Sequence, residues 1–204
     1  NGVDKFWIEN KLQQPKSIRY KSTIKVLYVG KVDKEKNLKL TLDAVNVLRA
    51  EGYNVQYTVV GKIVNKSVYK LLVKNKFVKY ISYCSKEDLI NIYRENDLFV
   101  MPSFQETFGV VYVEAMTQGL PIVYTRNEGF DGQFNNGTVG YAVNSHCVND
   151  LVNVIKNILL NYEDISARCL ENADKYKWGN ISKNYYDIYQ KVLDGEARKS
   201  IYFK

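Results

Sequence analysis

Residues 24–61 read IKVLYVGKVDKEKNLKLTLDAVNVLRAEGYNVQYTVVG. The opening run from Ile24 to Val29 is apolar and β-branched and stops at Gly30, the pattern of a buried strand ending in a turn. Leu38, Leu42, Val45 and Leu48 then recur at helical spacing, with Asn37 placed to cap the start and Gly52 just past the end. Residues 54–60 alternate through Val55, Tyr57 and Val59 into Gly61, a second strand. A strand, a helix and a strand in this order predict a βαβ unit. Such crossovers are almost always right-handed and give a parallel sheet.

The same alternation continues outward. Val68, Leu71 and Leu72 mark a short helix, and residues 77–81 a third strand. Ser85 with Asp88 resembles a capping box opening a helix that carries Leu89, Ile92 and Tyr93. Residues 97–101 (DLFVM) predict the fourth strand, residues 108–118 a helix stopped by Gly119, residues 121–124 a strand, and residues 139–143 a last short one. Beyond Cys147 the chain predicts helices. One has Leu151, Val154, Ile155 and Ile158 on a single face, and a terminal one carries Ile181, Tyr185, Ile188, Tyr189 and Val192. The spacing of these terminal aromatics, with Tyr186, predicts helix packing rather than a binding surface. The expected architecture is α/β, a Rossmann-like doubly wound parallel sheet with helices on both faces. In such sheets ligands bind beyond the carboxyl ends of the strands. Function is therefore sought in the loops that start near Gly30, Gly61, Ser82, Pro102 and Thr125.

Composition sets limits on partners. The 204 residues are 46% hydrophobic and 25% charged, ordinary globular usage, and no apolar run approaches the roughly 20 residues of a membrane span. Cys84, Cys147 and Cys169 share no metal-ligand spacing and read as reduced thiols in a cytoplasmic protein. The net charge of +7 admits nucleic acid, acidic lipid headgroups or a phosphorylated small molecule as partners. No nucleic-acid-binding fold motif or arginine stripe accompanies the charge, so no nucleic-acid partner is expected. Peripheral attachment to the inner membrane face is compatible with the charge, although no basic amphipathic helix compels it.

Two loops carry candidate chemistry. Gly30-Lys31-Val32-Asp33-Lys34-Glu35-Lys36-Asn37 brings lysines to a helix start, where the helix dipole disfavours cations unless a bound diphosphate reverses the balance. A Lys-rich surface turn is the plain alternative. Neither G-x-G-x-x-G nor a P-loop is present. In the second loop Glu106 precedes a nearly all-apolar helix and Glu114 lies eight residues on, about 12 Å away at the helical rise. That span suits an elongated ligand with hydroxyls at both ends, and Phe108-Gly109 between them offers free backbone N–H groups to phosphate. By spacing alone the two carboxylates could equally be ordinary surface glutamates.

Together these residues resemble the retaining glycosyltransferases of family four, whose fold is the two-domain GT-B arrangement. The resemblance rests on Asn1-Gly2-Val3-Asp4, on the turn from Gly30-Lys31 to Lys36, and on P-S-x-x-E-x-F-G-x-x-x-x-E-A-M-x-x-G-x-P from Pro102 to Pro121. It covers residue 1 to about residue 193. It implies the C-terminal half of a GT-B enzyme, with residues 1–20 an inter-domain junction and residues 21–204 the donor-binding domain. It also implies Lys31 and Lys36 on the diphosphate, Glu106 on the donor sugar, and Glu114 on ribose hydroxyls. Gly30, Phe108, Gly109 and Val110 would line the sugar-phosphate region, and Ser82, Tyr83, Cys84 and Ser85 the base.

The implied donor is a nucleoside diphosphate sugar, with no cofactor and no metal, since D-x-D is absent and His146 is the single histidine. His146 reads as a capping or surface residue. The implied partner is an N-terminal acceptor-binding domain of the same protein, without which this fragment would transfer nothing, and the implied setting is surface polysaccharide or glycoconjugate synthesis. Lys31 departs from the arginine usual in the family and gives up bidentate phosphate geometry. Gly61-Lys62-Ile63 lacks the usual G-x-G, and Tyr83-Cys84-Ser85 lacks a glycine common before that helix, so the base is unreadable. Residues 126–131, Arg-Asn-Glu-Gly-Phe-Asp, fit either an acceptor-side closure or a surface loop. The rival readings are a nucleotide-sugar epimerase of the same architecture and a noncatalytic basic nucleic-acid-binding module.

Overall fold

The computed structural model describes residues 1–18 and 23–193. β1 (Ile24–Val29), β2 (Val55–Val60), β3 (Val78–Ile81), β4 (Leu98–Val100), β5 (Ile122–Thr125) and β6 (Gly140–Val143) form a parallel sheet in the order β3-β2-β1-β4-β5-β6. β1 is central, Val26 pairing with Tyr57 of β2 on one side and Leu98 of β4 on the other. Five of its six residues are buried, as a strand covered on both faces requires.

The helices are α1 (Lys5–Glu9), α2 (Leu38–Ala50), α3 (Lys66–Val73), α4 (Lys86–Glu95), α5 (Val110–Thr117), α6 (Val148–Leu160), α7 (Tyr162–Ala173) and α8 (Trp178–Leu193). α2 packs against α3 and α6, while α5 packs against α1 and α7. Winding runs outward through β2 and β3, then returns to the other side of β1 to place β4. The direction reverses between β1 and β4, so a crevice opens beyond their carboxyl ends. The expected α/β, doubly wound, Rossmann-like class is the observed one. The boundary expected at residues 20 and 21 falls outside the described residues.

Three local expectations are corrected. Asn37 does not cap α2. It sits at φ 51 in the left-handed region, and its amide instead donates to the carbonyls of Pro102 (3.0 Å) and Ser145 (2.8 Å), tying three loops together. The helix expected from residue 108 begins at Val110, because Gly109 at φ 75 breaks the helical run. Cys147 occupies the N-cap position of α6, and His146, expected as a capping or surface residue, is a surface residue stacked on Phe104 at 5.2 Å. The terminal aromatics do not pack: α8 has no buried residue, with Tyr185, Tyr186 and Tyr189 each more than half exposed. Its spacing is that of a face to be covered; Gly2 lies against the Trp178 ring at one end, and no described residue buries the rest.

α5 is buried almost all round, as its composition requires. Tyr112 inside it is 1% exposed and donates its hydroxyl to the carbonyl of Met101 at 2.7 Å, which pins the helix to the end of β4. Phe130 closes the core beneath it, packed against Phe108, Tyr112, Tyr124 and Tyr176. Among the described residues no helix is long and apolar enough to cross a membrane. Cys84, Cys147 and Cys169 are free thiols.

Candidate functional site

The loops after β1 and β4 meet at the winding reversal. Lys36 Nζ lies 2.8 Å from Glu106 Oε2, and the backbone N–H of Phe104 donates to the carbonyl of Glu35 at 2.8 Å. The two loops are thus joined by a main-chain bond and an ion pair. Lys31 stands exposed on the first loop, its carbonyl fixed by the Tyr28 hydroxyl at 2.6 Å. Gly30 is held by its N–H to the carbonyl of Val60 at 2.9 Å.

Gly109 opens α5 in the left-handed conformation, where a side chain would be strained. A Cβ there would lie 2.5 Å from the Tyr112 ring and 3.3 Å from Glu106 Cγ. Among the described residues no protein acceptor pairs the backbone N–H groups of Gly109, Val110 and Val111. These donors, with the positive end of the helix dipole, form an anion-ready edge beside Glu106 and Lys36. Phe108 is 9% exposed and its side chain turns into the aromatic core, so it presents only backbone to this edge. Val110 is half-buried at the helix start.

Glu114 lies about one turn along α5. Tyr93 of α4 donates its hydroxyl to Glu114 Oε2 at 3.1 Å. Burial pushes the Glu114 carboxyl up to about 7; the Tyr93 hydrogen bond and the charge of Lys86 pull it down without offsetting the desolvation. The loop expected near a base, residues 82–85, follows β3 on the same side. Ser82, Tyr83 and Ser85 are exposed and Cys84 is half-buried, with its thiol raised by burial. Ser85 accepts the backbone N–H of Asp88 at 3.1 Å, the capping role its sequence position suggested.

Two residues of the site went unseen in the sequence, and a third, Glu128, lay in the loop of residues 126–131 with no role of its own. Tyr93 read as one more apolar position of an amphipathic helix. Trp7, in α1, is 1% exposed and packs edge-on against Tyr93 at 5.4 Å. Glu128 accepts the backbone N–H of Glu106 at 2.8 Å, and the N–H of Gly129 donates to the Glu106 carbonyl at 2.9 Å. Residues 126–131 are therefore fastened to the Glu106 loop and anchored below by buried Phe130. The only signal for this was the presence of a glycine and a carboxylate in the loop after a strand. Among the described residues no group of three or more His, Cys, Asp or Glu side chains is placed to hold a metal ion.

A parallel sheet of this order, with cations and unpaired main-chain donors at its winding reversal, defines a doubly wound, Rossmann-like α/β domain. The chain belongs to the family Glycosyl transferases group 1, whose pattern matches residues 9–176. It is 29% identical over 151 residues to the capsular polysaccharide biosynthesis glycosyltransferase CapM of Staphylococcus aureus, covering 70% of this chain and 39% of the relative. Among solved structures it is similar to the pneumococcal O-GlcNAc transferase GtfA in complex with UDP and GlcNAc, with a TM-score of 0.69 at 18% identity, covering 94% of this chain and 38% of the other. It is also similar to the C-terminal domain of a glycosyl transferase group 1 protein, LpcC, from Francisella tularensis, with a TM-score of 0.66 at 18% identity, covering 76% of this chain and 87% of that domain. The chain spans about half or less of the length of the curated relatives it matches.

Proposed function

We propose that this chain is the donor-binding half of a retaining glycosyltransferase, which moves a sugar from a nucleoside diphosphate sugar to an acceptor hydroxyl with the anomeric configuration kept. The observation that carries the reading is the convergence at the winding reversal of Lys36, Glu106 and the unpaired N–H groups that open α5. In this reading Lys31, Lys36 and those N–H groups stabilise charge on the departing diphosphate. Glu106 holds the donor sugar, Glu114 accepts ribose hydroxyls, and the loop of residues 82–85 borders the base. Charge stabilisation of this kind suits a leaving diphosphate better than the paired carboxylates of a hydrolase. The capsular role in the name of the Staphylococcus aureus relative supports surface polysaccharide or glycoconjugate synthesis as the setting.

The partner in this reading is an acceptor-binding half of the same protein. Two observations support it: the chain spans about half of its relatives, and α8 leaves Trp178, Tyr185, Ile188 and Tyr189 more than half exposed. We assign that face to the acceptor-binding half. The donor site is tested by titrating the chain with UDP, GDP and ADP in a calorimeter, then repeating with Glu114→Ala and Lys36→Ala. Saturable binding of one diphosphate, weakened by both substitutions, is expected. No binding of any diphosphate at millimolar concentration would overturn the assignment.

A further inference from the structure

Glu114 occupies a mid-helix position where an unassisted carboxylate is costly, because neighbouring side chains remove its water. One aromatic donor addresses it, and a second ring supports that donor. Tyr93 is fully buried, and its hydroxyl points at Glu114 Oε2. Burial and the adjacent carboxylate raise the Tyr93 phenol well above its ordinary range, so it remains a donor. The rings brace each other, Trp7 edge-on to Tyr93 at 86° and Tyr93 tilted against Phe99 of β4 at 6.1 Å.

Trp7 is itself fixed by the segment that precedes the sheet. Asp4 Oδ1 accepts the N–H of Phe6 at 2.9 Å, capping α1, and Asp4 Oδ2 meets Lys86 Nζ at 2.5 Å at the start of α4. The N–H of Val3 donates to the carbonyl of Tyr176 at 2.9 Å. This segment therefore fills the space behind Glu114. A carboxylate offers about four acceptor sites, so one donor from behind leaves lone pairs for a ligand in front.

We propose that Tyr93 and Trp7 are positioning residues that hold Glu114 in the orientation that receives the ribose hydroxyls of a nucleoside diphosphate, making residues 1–9 part of the nucleotide site. The inference rests on the donor-site reading above. It makes the junction more than a tether: a shift of α1 moves Trp7, and with it the carboxylate that grips the ribose.

The test compares the nucleoside diphosphate that binds best among UDP, GDP and ADP with its 2′,3′-dideoxy analogue. Both are titrated into the wild-type 204-residue chain, Tyr93→Phe, Trp7→Phe and Glu114→Ala, with thermal melts to confirm folding. In the wild type the ribose form should bind about tenfold more tightly than the dideoxy form, the size of one charge-assisted hydrogen bond. Tyr93→Phe should remove most of that preference and Trp7→Phe part of it, while dideoxy binding stays within about twofold of wild type. Adding Tyr93→Phe to Glu114→Ala should change nothing further. Equal weakening of both ligands would show a merely structural role and overturn the proposal. An intact preference in both variants would overturn it while leaving the donor site standing. A wild type that binds both ligands equally would remove the ribose role of Glu114 and the proposal with it, and one that binds neither would remove the donor-site reading as well.

Discussion

Lys36 Nζ lies 2.8 Å from Glu106 Oε2, and the two side chains, 24% and 11% exposed, join the loop after β1 to the loop after β4. A pair this sheltered is unlike exposed ion pairs worth about 0–1 kcal/mol, and removing one partner strands the other at a cost of about 1–3 kcal/mol. In the proposed function each partner has a second role, Lys36 on diphosphate and Glu106 on sugar, so the contact and the donor compete. Glu106→Gln keeps the shape and releases the lysine. Nucleoside diphosphate binding should tighten by about two- to tenfold, whereas Lys36→Met should weaken it by about tenfold or more. Calorimetry separates these outcomes. Equal weakening by both substitutions would mean that the pair is a fixed strut that the ligand leaves intact.

The fastening of residues 126–131 gives a second prediction. A Cβ on Gly129 would sit 1.8 Å from the Thr107 carbonyl oxygen and 2.7 Å from that of Glu106. Gly129→Ala must therefore push the loop away, breaking both hydrogen bonds to the Glu106 backbone. The loss is about 1–3 kcal/mol, and the melting temperature should fall by about 3–10 °C with weaker diphosphate binding. Gly132→Ala in the same loop is the control, since a Cβ there meets nothing within 4 Å. Its positive φ costs about 1 kcal/mol of strain, and binding should be unchanged. Unaltered binding in Gly129→Ala would make these residues a plain surface loop.

The sheet could be read in the sequence because strand and helix periods differ and each changes at a glycine or a cap, as at Gly30, Gly52 and Gly61. The family pattern from Pro102 to Pro121 pointed to the loop that the structure sets against Glu35 and Lys36. What remained hidden depends on contacts between distant residues or on backbone angles. Nothing local to Lys36 tells that it meets Glu106, seventy positions away. Tyr93 fits the apolar stripe of α4 whether or not its hydroxyl has a partner, so periodicity concealed its second role. Asn37 has the composition of a cap, but its positive φ turns the side chain to other loops. For α8 the period was read correctly and the inference drawn from it failed: an apolar stripe says that a face is to be covered, not that this chain covers it.

Glu114 carries a pH dependence of definite sign. Its carboxyl titrates near 7 in the folded protein and near 4.5 when unfolded. Between those values the folded state keeps a proton that the unfolded state has released, so stability falls as pH rises through this window and levels off above 7. Glu114→Gln abolishes the effect. The melting temperature of the variant minus that of the wild type should increase between pH 5 and pH 8, corresponding to about 1–3 kcal/mol. The difference cancels contributions of other groups, including Asp4, Asp97 and Asp174. Lys86 and Asp4 also bear on Glu114, in opposite directions, so they do not reverse the trend. A flat difference would place Glu114 in water. In the proposed donor site, diphosphate affinity should rise with pH across the same range, because the ionised carboxylate is the better acceptor for ribose hydroxyls.

The face of α8 yields a prediction that separates helix formation from packing. Isolated helices of about 12–15 residues are marginal in water even for favourable sequences, and tertiary burial normally supplies the missing stability. α8 spans Trp178–Leu193 and buries no residue, while the aromatic network below it is anchored by fully buried Phe130. Its amide hydrogens should therefore exchange much faster than those of α5 when the chain is studied alone. Ile188→Ser with Tyr189→Ser, at positions 55% and 63% exposed, removes little buried area, so the melting temperature should move by less than about 2 °C. Binding of a fluorescent apolar dye should drop in the same variant, since the stripe offers the dye its surface. In a longer protein that includes the proposed acceptor-binding half, the same double substitution should lower stability by about 1.5–3 kcal/mol for each side chain that becomes buried. Slow exchange of α8 in the isolated chain at every concentration would contradict this account; slow exchange confined to high concentration would instead identify a second copy of the chain as its cover.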